Sequence, residues 1–291
     1  MTSTIPKVSA VITAYNRQET IVAALESCLV QTFPLYEIIV VDDASTDDTR
    51  IILEKYRDRG IKLIFLPNNS GQCVACNAGI LAATGDLVAL LDSDDLWRED
   101  KIEKQIATWI GSADPEHTVI YSRLASVNPQ GDFLVEPPRA LEHGRPVSDY
   151  LIIQGGRMQT STLLVPRKLA AEVLYDERTR RHTDYGFVMR LEAAGARFLM
   201  VEDCLVDWRQ AAARNRVSSA TDYKRSSEWL YHHRKYMTPR SIAAFQLMTL
   251  SRGQLTRRTL EVFYYFIAAC AHGVLPVRRI AKGISKRLNL N

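Results

Sequence analysis

Residues 83–97 read ATGDLVALLDSDDLW. A turn at Thr84-Gly85 ends one segment, an unbroken apolar run follows from Leu87 to Leu91, and Asp92, Asp94 and Asp95 close it. A short apolar run between turn signals reads as a strand buried on both faces. Carboxylates crowded at its end repel one another unless a cation or donor neutralises them. Oxygen ligands of this kind favour Mg2+ or Mn2+, with water and substrate phosphates completing the shell. From the motif alone the plainer alternative stands beside this: the acids form a turn and cap the next helix.

Working outward, the same alternation repeats. Upstream, KVSAVIT (7–13), EIIVV (37–41) and KLIFL (62–66) read as strands. Between them, Ile21, Leu25, Cys28 and Leu29 recur at helical spacing, and Ile51, Ile52, Leu53 and Tyr56 supply a second stripe. Ser45 is expected to open that second helix, with Asp48 three residues on, close to a capping box. NNSGQ turns into a third helix that ends near Thr84, and Ile102, Ile106 and Trp109 mark a fourth. Strands joined by crossover helices predict an α/β chain with a largely parallel sheet flanked by helices. Downstream, Val119–Ala125, Thr162–Val165 and Arg197–Val201 read as strands and Asp184–Ala194 as a helix, with PPRALEHGRP (137–146) a loop expected over a site. The expected organisation is 1–110 as one half, 111–220 as a second, and 221–291 as a helical tail.

In such sheets ligands bind beyond the carboxyl ends of the strands. Three polar clusters fall there: TAYNR (13–17), DDAST (42–46) and DSDD (92–95). Tyr15 can stack on a base. Arg17 can neutralise phosphate, or be an ordinary surface arginine. Asp43 reads as a nucleoside contact, while for Asp42 a capping role competes. Asp184 stands at a helix start, where the dipole favours an ionised carboxylate. As a base it then suits a late proton transfer, and simple capping is an equal reading. Arg209 reads either as a diphosphate ligand or as a surface residue, and His182 as structural.

These stretches resemble the inverting nucleotide-sugar transferases of glycosyltransferase family 2, which have the GT-A fold. VSAVITAYNR, SCLVQTF, EIIVVDDASTDDT, NNSGQCVACNAGI, ATGDLVALLDSDDLW and TDYGFVMRLEAAG carry the likeness, in order. The resemblance implies a Rossmann-like sheet and a metal-dependent transfer of sugar from a nucleotide sugar, with UDP-sugar the first guess. It implies nucleoside contacts at Thr13, Tyr15 and Asp43, with Asn16, Arg17, Asn77, Asp92 and Arg209 completing the donor site. Asp94, with Asp92, is implied to hold Mn2+ or Mg2+, and Asp184 to deprotonate the acceptor. Cys76 departs from the arginine common in the family, which removes one contact to base or phosphate. Thr183 replaces the frequent glutamate before the catalytic aspartate.

The charge of +4 is unevenly spread. From Lys224 onward thirteen Lys and Arg face two acids, against 24 basic and 31 acidic residues before it. EVFYYFIAACAHGVLPV (261–277) is apolar but short of the roughly 20 residues a span needs. An interfacial anchor on anionic lipid is therefore expected for 224–291, narrowly ahead of packing on the catalytic domain. Five cysteines without regular spacing, and an N-terminus without signal-peptide architecture, lead us to expect a cytoplasmic protein resting on the membrane's inner face. The expected acceptor is a saccharide or lipid-linked saccharide. A sugar-nucleotide pyrophosphorylase is the second reading, but TAYNRQET lacks the glycine-rich loop it needs. Nucleic-acid binding by the tail ranks lower still, because Tyr264, Tyr265 and Phe266 sit in an apolar block rather than among Arg and Lys.

Overall fold

The computed structural model describes residues 5–127, 133–209 and 223–250. In chain order the elements are β1 (Val8–Ala14), α1 (Ile21–Leu29), β2 (Glu37–Asp42), α2 (Thr49–Glu54), β3 (Lys62–Phe65), α3 (Gln72–Ala82), β4 (Leu87–Asp92), β5 (Leu96–Trp97) and α4 (Lys101–Ile110). Then follow β6 (Thr118–Val127), β7 (Phe133–Glu136), α5 (Val147–Ile152), β8 (Leu164–Pro166), α6 (Arg167–Val173), α7 (Thr183–Ala193), β9 (Arg197–Trp208), α8 (Tyr223–His233) and α9 (Pro239–Leu250).

One nine-stranded sheet runs β3-β2-β1-β4-β8-β6-β9-β5, with β7 paired to β6. The block β3-β2-β1-β4 is parallel, as the sequence predicts. Beyond it the sheet is mixed: β8 is antiparallel to β4 and β6, and β5 to β9. The halves expected at 1–110 and 111–220 thus share a single sheet.

Both faces are covered, which explains the near-continuous apolar strands. Val11, Val88 and Leu90 point into one core with Tyr121, Tyr150, Phe187 and Trp229. Their strand neighbours Ala10, Ile12, Ala89 and Leu91 point into the other, with Leu25, Cys28, Leu53 and Ile102. Cys73 and Cys76 are buried core thiols on α3, as their sequence context suggests.

One boundary differs from the sequence reading. The second helix begins at Thr49 rather than Ser45, because Ser45 and Asp47 bond outside their own segment: the Ser45 hydroxyl accepts from Asn16 N and Asp47 from Gln18 N. The 137–146 loop is tied down at two points, with Leu141 N donating to Tyr121 Oη and Tyr150 Oη donating to the Arg139 carbonyl.

Over 223–250 the expected tail is packed: Trp229, Ala243, Ala244 and Phe245 are buried in the first core, so α8 and α9 lie on the body of the protein. The helix pair comes so close to α7 that a Cβ on Gly186 would lie 2.5 Å from the His233 ring. The apolar run 261–277 and the basic residues after it lie outside the described residues. Among the described residues no helix is long and apolar enough to cross a membrane.

Lys101 is fully buried beneath the site, its amine 2.7 Å from Gln105 Oε1 and 4.2 Å from the Trp97 ring centre. Burial pulls its pKa from 10.5 down to about 7. Between these values the unfolded chain binds the extra proton, so this lysine's contribution to stability grows as pH rises. We expect wild type to gain on Lys101→Met by up to about 1.4 kcal/mol per pH unit above pH 7. Urea unfolding of both proteins at pH 7 and pH 9 reads the difference; an unchanged gap would show an amine that stays charged.

Candidate active site

The sheet order explains why three distant loops meet. From β1 the chain moves outward through β2 to β3, then crosses back to β4 on the other side of β1. A crevice opens where the order reverses. The register sets Ala14 beside Asp42 and Thr13 beside Asp92, so the ends of β1, β2 and β4 lie level.

The first two loops are knitted together. Thr46 N donates to Asn16 Oδ1 at 2.8 Å, and Arg17 N to Thr49 Oγ1 at 2.8 Å. Asn16 and Ala44 both take left-handed backbone, at φ 52° and 59°. Asparagine tolerates this region and alanine does not, so Ala44 carries strain of order 1 kcal/mol at the cleft edge.

Asp43 is buried, with Oδ1 accepting from Ser70 N and Oδ2 from Gly71 N, each at 2.7 Å. It therefore ties the β2 loop to the turn before α3. Gly71 has φ +98°, a conformation that favours glycine. Asp42 caps no helix: its Oδ2 accepts from Arg50 Nε at 2.7 Å and from Ser45 N at 3.1 Å.

The three acids of DSDD have different environments. Asp92 receives amide donors from Gln72 (2.7 Å) and Gln159 (3.2 Å). Asp95 is buried, with Oδ2 accepting from Gln159 at 2.7 Å and Ser161 at 2.6 Å. Burial pushes Asp95 up to about 7. Asp94 is 28% exposed, and Arg17 lies 3.7 Å away. Asp94 is thus the carboxylate left open to a ligand.

Asp184 comes from the far half of the chain, on the first turn of α7. Its charge acts on Asp92 together with those of Asp95 and Asp94, so Asp184 lies near the acidic cluster. Burial, then Asp95, Asp94 and Asp184, raise Asp92 well above the usual carboxylate range. Burial also raises Asp184, outweighing the hydrogen bond from Tyr185 N and the positive charge of Arg157. Burial thus works against the helix terminus, which favours the charged form. Both groups keep some accessible surface, as groups on the floor of a cleft do.

A sequence profile described as Glycosyl transferase family 2 matches residues 9–134. The chain is 30% identical to the amylovoran biosynthesis glycosyltransferase AmsB of Erwinia amylovora over 250 residues, covering 83% of this chain and 82% of that protein. The chain belongs to glycosyl transferase family 2. It is also 46% identical, over 101 residues that cover 34% of this chain and 39% of the relative, to UDP-Glc:alpha-D-GlcNAc-diphosphoundecaprenol beta-1,3-glucosyltransferase WfaP of Escherichia coli. Mannosyltransferase PcManGT of Pyrobaculum calidifontis, solved with GDP-Man and Mn2+, superposes with TM-score 0.63 at 18% identity, over 98% of this chain and 81% of its own. The glycosyltransferase therefore has the GT-A fold.

Within this glycosyltransferase the expected site residues fall into two groups. Tyr15 (40% exposed), Asn16, Arg17, Asp92, Asp94 and Asp184 keep accessible surface, while Asp43 is buried beside them. Arg209 is exposed at the end of β9, and its backbone N–H reaches Asp95. Two residues are placed otherwise. Thr13 is buried with its hydroxyl against the Cys76 sulfur. Asn77 is buried and its amide is fully engaged: Oδ1 accepts from Tyr175 N, and Nδ2 donates to the Tyr175 carbonyl and to Glu177. Asn77 thus fixes the 175–177 segment on α3.

Gln72, Gln159 and Ser161 went unread in the sequence, as did Arg157 and Arg180. Gln159 and Ser161 lie in an irregular stretch with no periodicity to flag them. Arg157 pairs with Glu136 at 2.9 Å and lies over the Trp208 ring at 5.2 Å.

Proposed function

We propose that this glycosyltransferase moves a sugar, with inversion, from a uridine diphosphate sugar to a hydroxyl of a lipid-linked or growing polysaccharide. The observation that carries the reading is the approach of Asp184 to the Asp92–Asp94 cleft from the opposite half of the chain. In a single displacement, the acceptor oxygen bonds to the anomeric carbon as the bond to the diphosphate breaks. The acceptor proton passes to the Asp184 carboxylate, and the diphosphate leaves with the electron pair. A raised pKa makes Asp184 a better base once charged.

The residues fit a divalent cation. Asp94 is open, Asp92 keeps lone pairs beyond its two amide donors, and every candidate ligand atom is oxygen. Among the described residues no three His, Cys, Asp or Glu close around a common point, so most of the shell is left to phosphates and water. When bound, Mn2+ or Mg2+ would neutralise charge on the leaving diphosphate. Mn2+ in the PcManGT complex supports this assignment. WfaP's name supports uridine and a diphosphoundecaprenol-linked acceptor, whereas PcManGT binds a guanosine donor.

Nucleotide release is the test, run with UDP-glucose, UDP-galactose, UDP-N-acetylglucosamine and GDP-mannose, with Mn2+ and a diphospholipid-linked sugar acceptor. We expect a UDP-sugar to be consumed and its α-linked sugar to appear β-linked in the product by NMR. An α-linked product would overturn inversion, and consumption of GDP-mannose alone would overturn uridine.

A further inference from the structure

Arg180 lies between α6 and α7, where nothing assigns it a role. Its guanidinium rests flat against Gly71: Nη1, Cζ and Nε stand 3.5, 3.6 and 3.9 Å from the point a Cβ would occupy there. Gly71 is the joint of the donor wall. Its N–H is held by Asp43, and the next residue, Gln72, reaches Asp92. The Cys73 thiol, one residue further, is acted on by Asp176, Glu177, Arg180 and Asp184 together, so Arg180 and Asp184 both lie near the start of α3.

Among the described residues, the Arg180 side chain makes no hydrogen bond or ion pair. Its neighbour Arg178 is held by Asp176 at 2.7 Å, and Arg17 leans on Asp94 at 3.7 Å. Arg180 is exposed, with all its donors unsatisfied by protein. The acids of the site are Asp92, Asp94 and Asp184, which keep accessible surface, over buried Asp43 and Asp95. Such a site repels a diphosphate unless cations on the rim offset the field. A guanidinium suits two phosphate oxygens in a way an ammonium does not.

We propose that Arg180 is a donor-recognition residue, closing over the bound nucleoside diphosphate and pairing with its phosphate oxygens. This rests on the nucleotide-sugar reading above. The α3 sequence QCVACNAGILA contains no Lys or Arg, and Arg180 sets a cation against the Gly71 turn that precedes it.

The test is calorimetric titration of the full chain, with Mn2+, against UDP, GDP, CDP and ADP. The tightest of the four is then repeated alongside its parent nucleoside on Arg180→Ala, Arg180→Lys and Arg178→Ala. We expect Arg180→Ala to weaken the diphosphate by about tenfold to hundredfold, as loss of a charged hydrogen-bonded pair does. The nucleoside should weaken less than about twofold, since it lacks the charged partner. Arg180→Lys should fall between, and Arg178→Ala should match wild type. An Arg180→Ala protein that binds the diphosphate like wild type, or loses nucleoside and diphosphate equally, overturns the inference. A wild type that binds none of the four nucleotides overturns the functional reading instead, a result seen before any variant is made.

Discussion

Replacing Asp184 with asparagine should leave nucleotide-sugar affinity within about twofold and lower kcat by about 10²- to 10⁴-fold, the range a positioned general base supplies. Asparagine keeps the shape and can still accept the hydrogen bond from Tyr185 N, now 2.9 Å from Asp184 Oδ1. What it loses is the ability to take a proton. The wild-type pH profile carries a second part of this expectation. Burial holds the Asp184 pKa above the usual carboxylate value, and a base works only when deprotonated. The rate should therefore rise with pH through a value above about 4, the ordinary range for such a group. That acid limb should vanish in the asparagine variant. Near wild-type turnover by Asp184→Asn would remove Asp184 from the chemistry.

Replacing Asp94 with alanine should weaken Mn2+-dependent binding of UDP by more than about 100-fold, since even outer-shell partners of a metal commonly cost 10- to 100-fold. Asp94 is 28% exposed and among the described residues meets only Arg17, at 3.7 Å, while Asp92 and Asp95 are held by Gln72, Gln159 and Ser161. Its removal should leave the fold intact, because no buried group loses a partner. A thermal-shift panel of UDP with and without Mn2+, and with EDTA, reads both properties at once. Wild type should be stabilised by the pair together, and Asp94→Ala should melt like wild type alone and gain nothing from the pair. Equal stabilisation of both proteins by UDP and Mn2+ would place the cation elsewhere.

The two experiments separate the halves of the site. Asp94 belongs to a loop that follows β4 directly, and Asp184 to a helix after an irregular stretch. A defect in binding alone and a defect in turnover alone would show that these elements act on different parts of one substrate pair.

Much of the first half is legible in the residues themselves. Apolar runs at Val8, Glu37 and Leu87, each ending in a polar cluster, specify parallel strands with a ligand at their carboxyl ends, because only a sheet covered on both faces buries such runs. The acidic motifs are contiguous, so their chemistry is visible without a fold. In the second half β6, β8, α7 and the start of β9 are legible too, but β7, α5, α6 and the Thr160–Thr162 turn are too short or irregular for periodicity to define them. Gln159 and Ser161 nevertheless bind Asp92 and Asp95 from that stretch.

By itself, then, the sequence determined the α/β class, the parallel block and the identity of the acids, since these follow from local pattern and side-chain chemistry. Tertiary structure alone decided which of those acids stay open, that Asn77 and Thr13 turn inward, and that 223–250 packs on the body. It also decided that Asp184 shares the cleft with a raised pKa and that Arg180 lies over Gly71. The physical reason is that burial, field and partner choice depend on groups brought together from distant positions, and a residue's own neighbours in the chain carry no record of them.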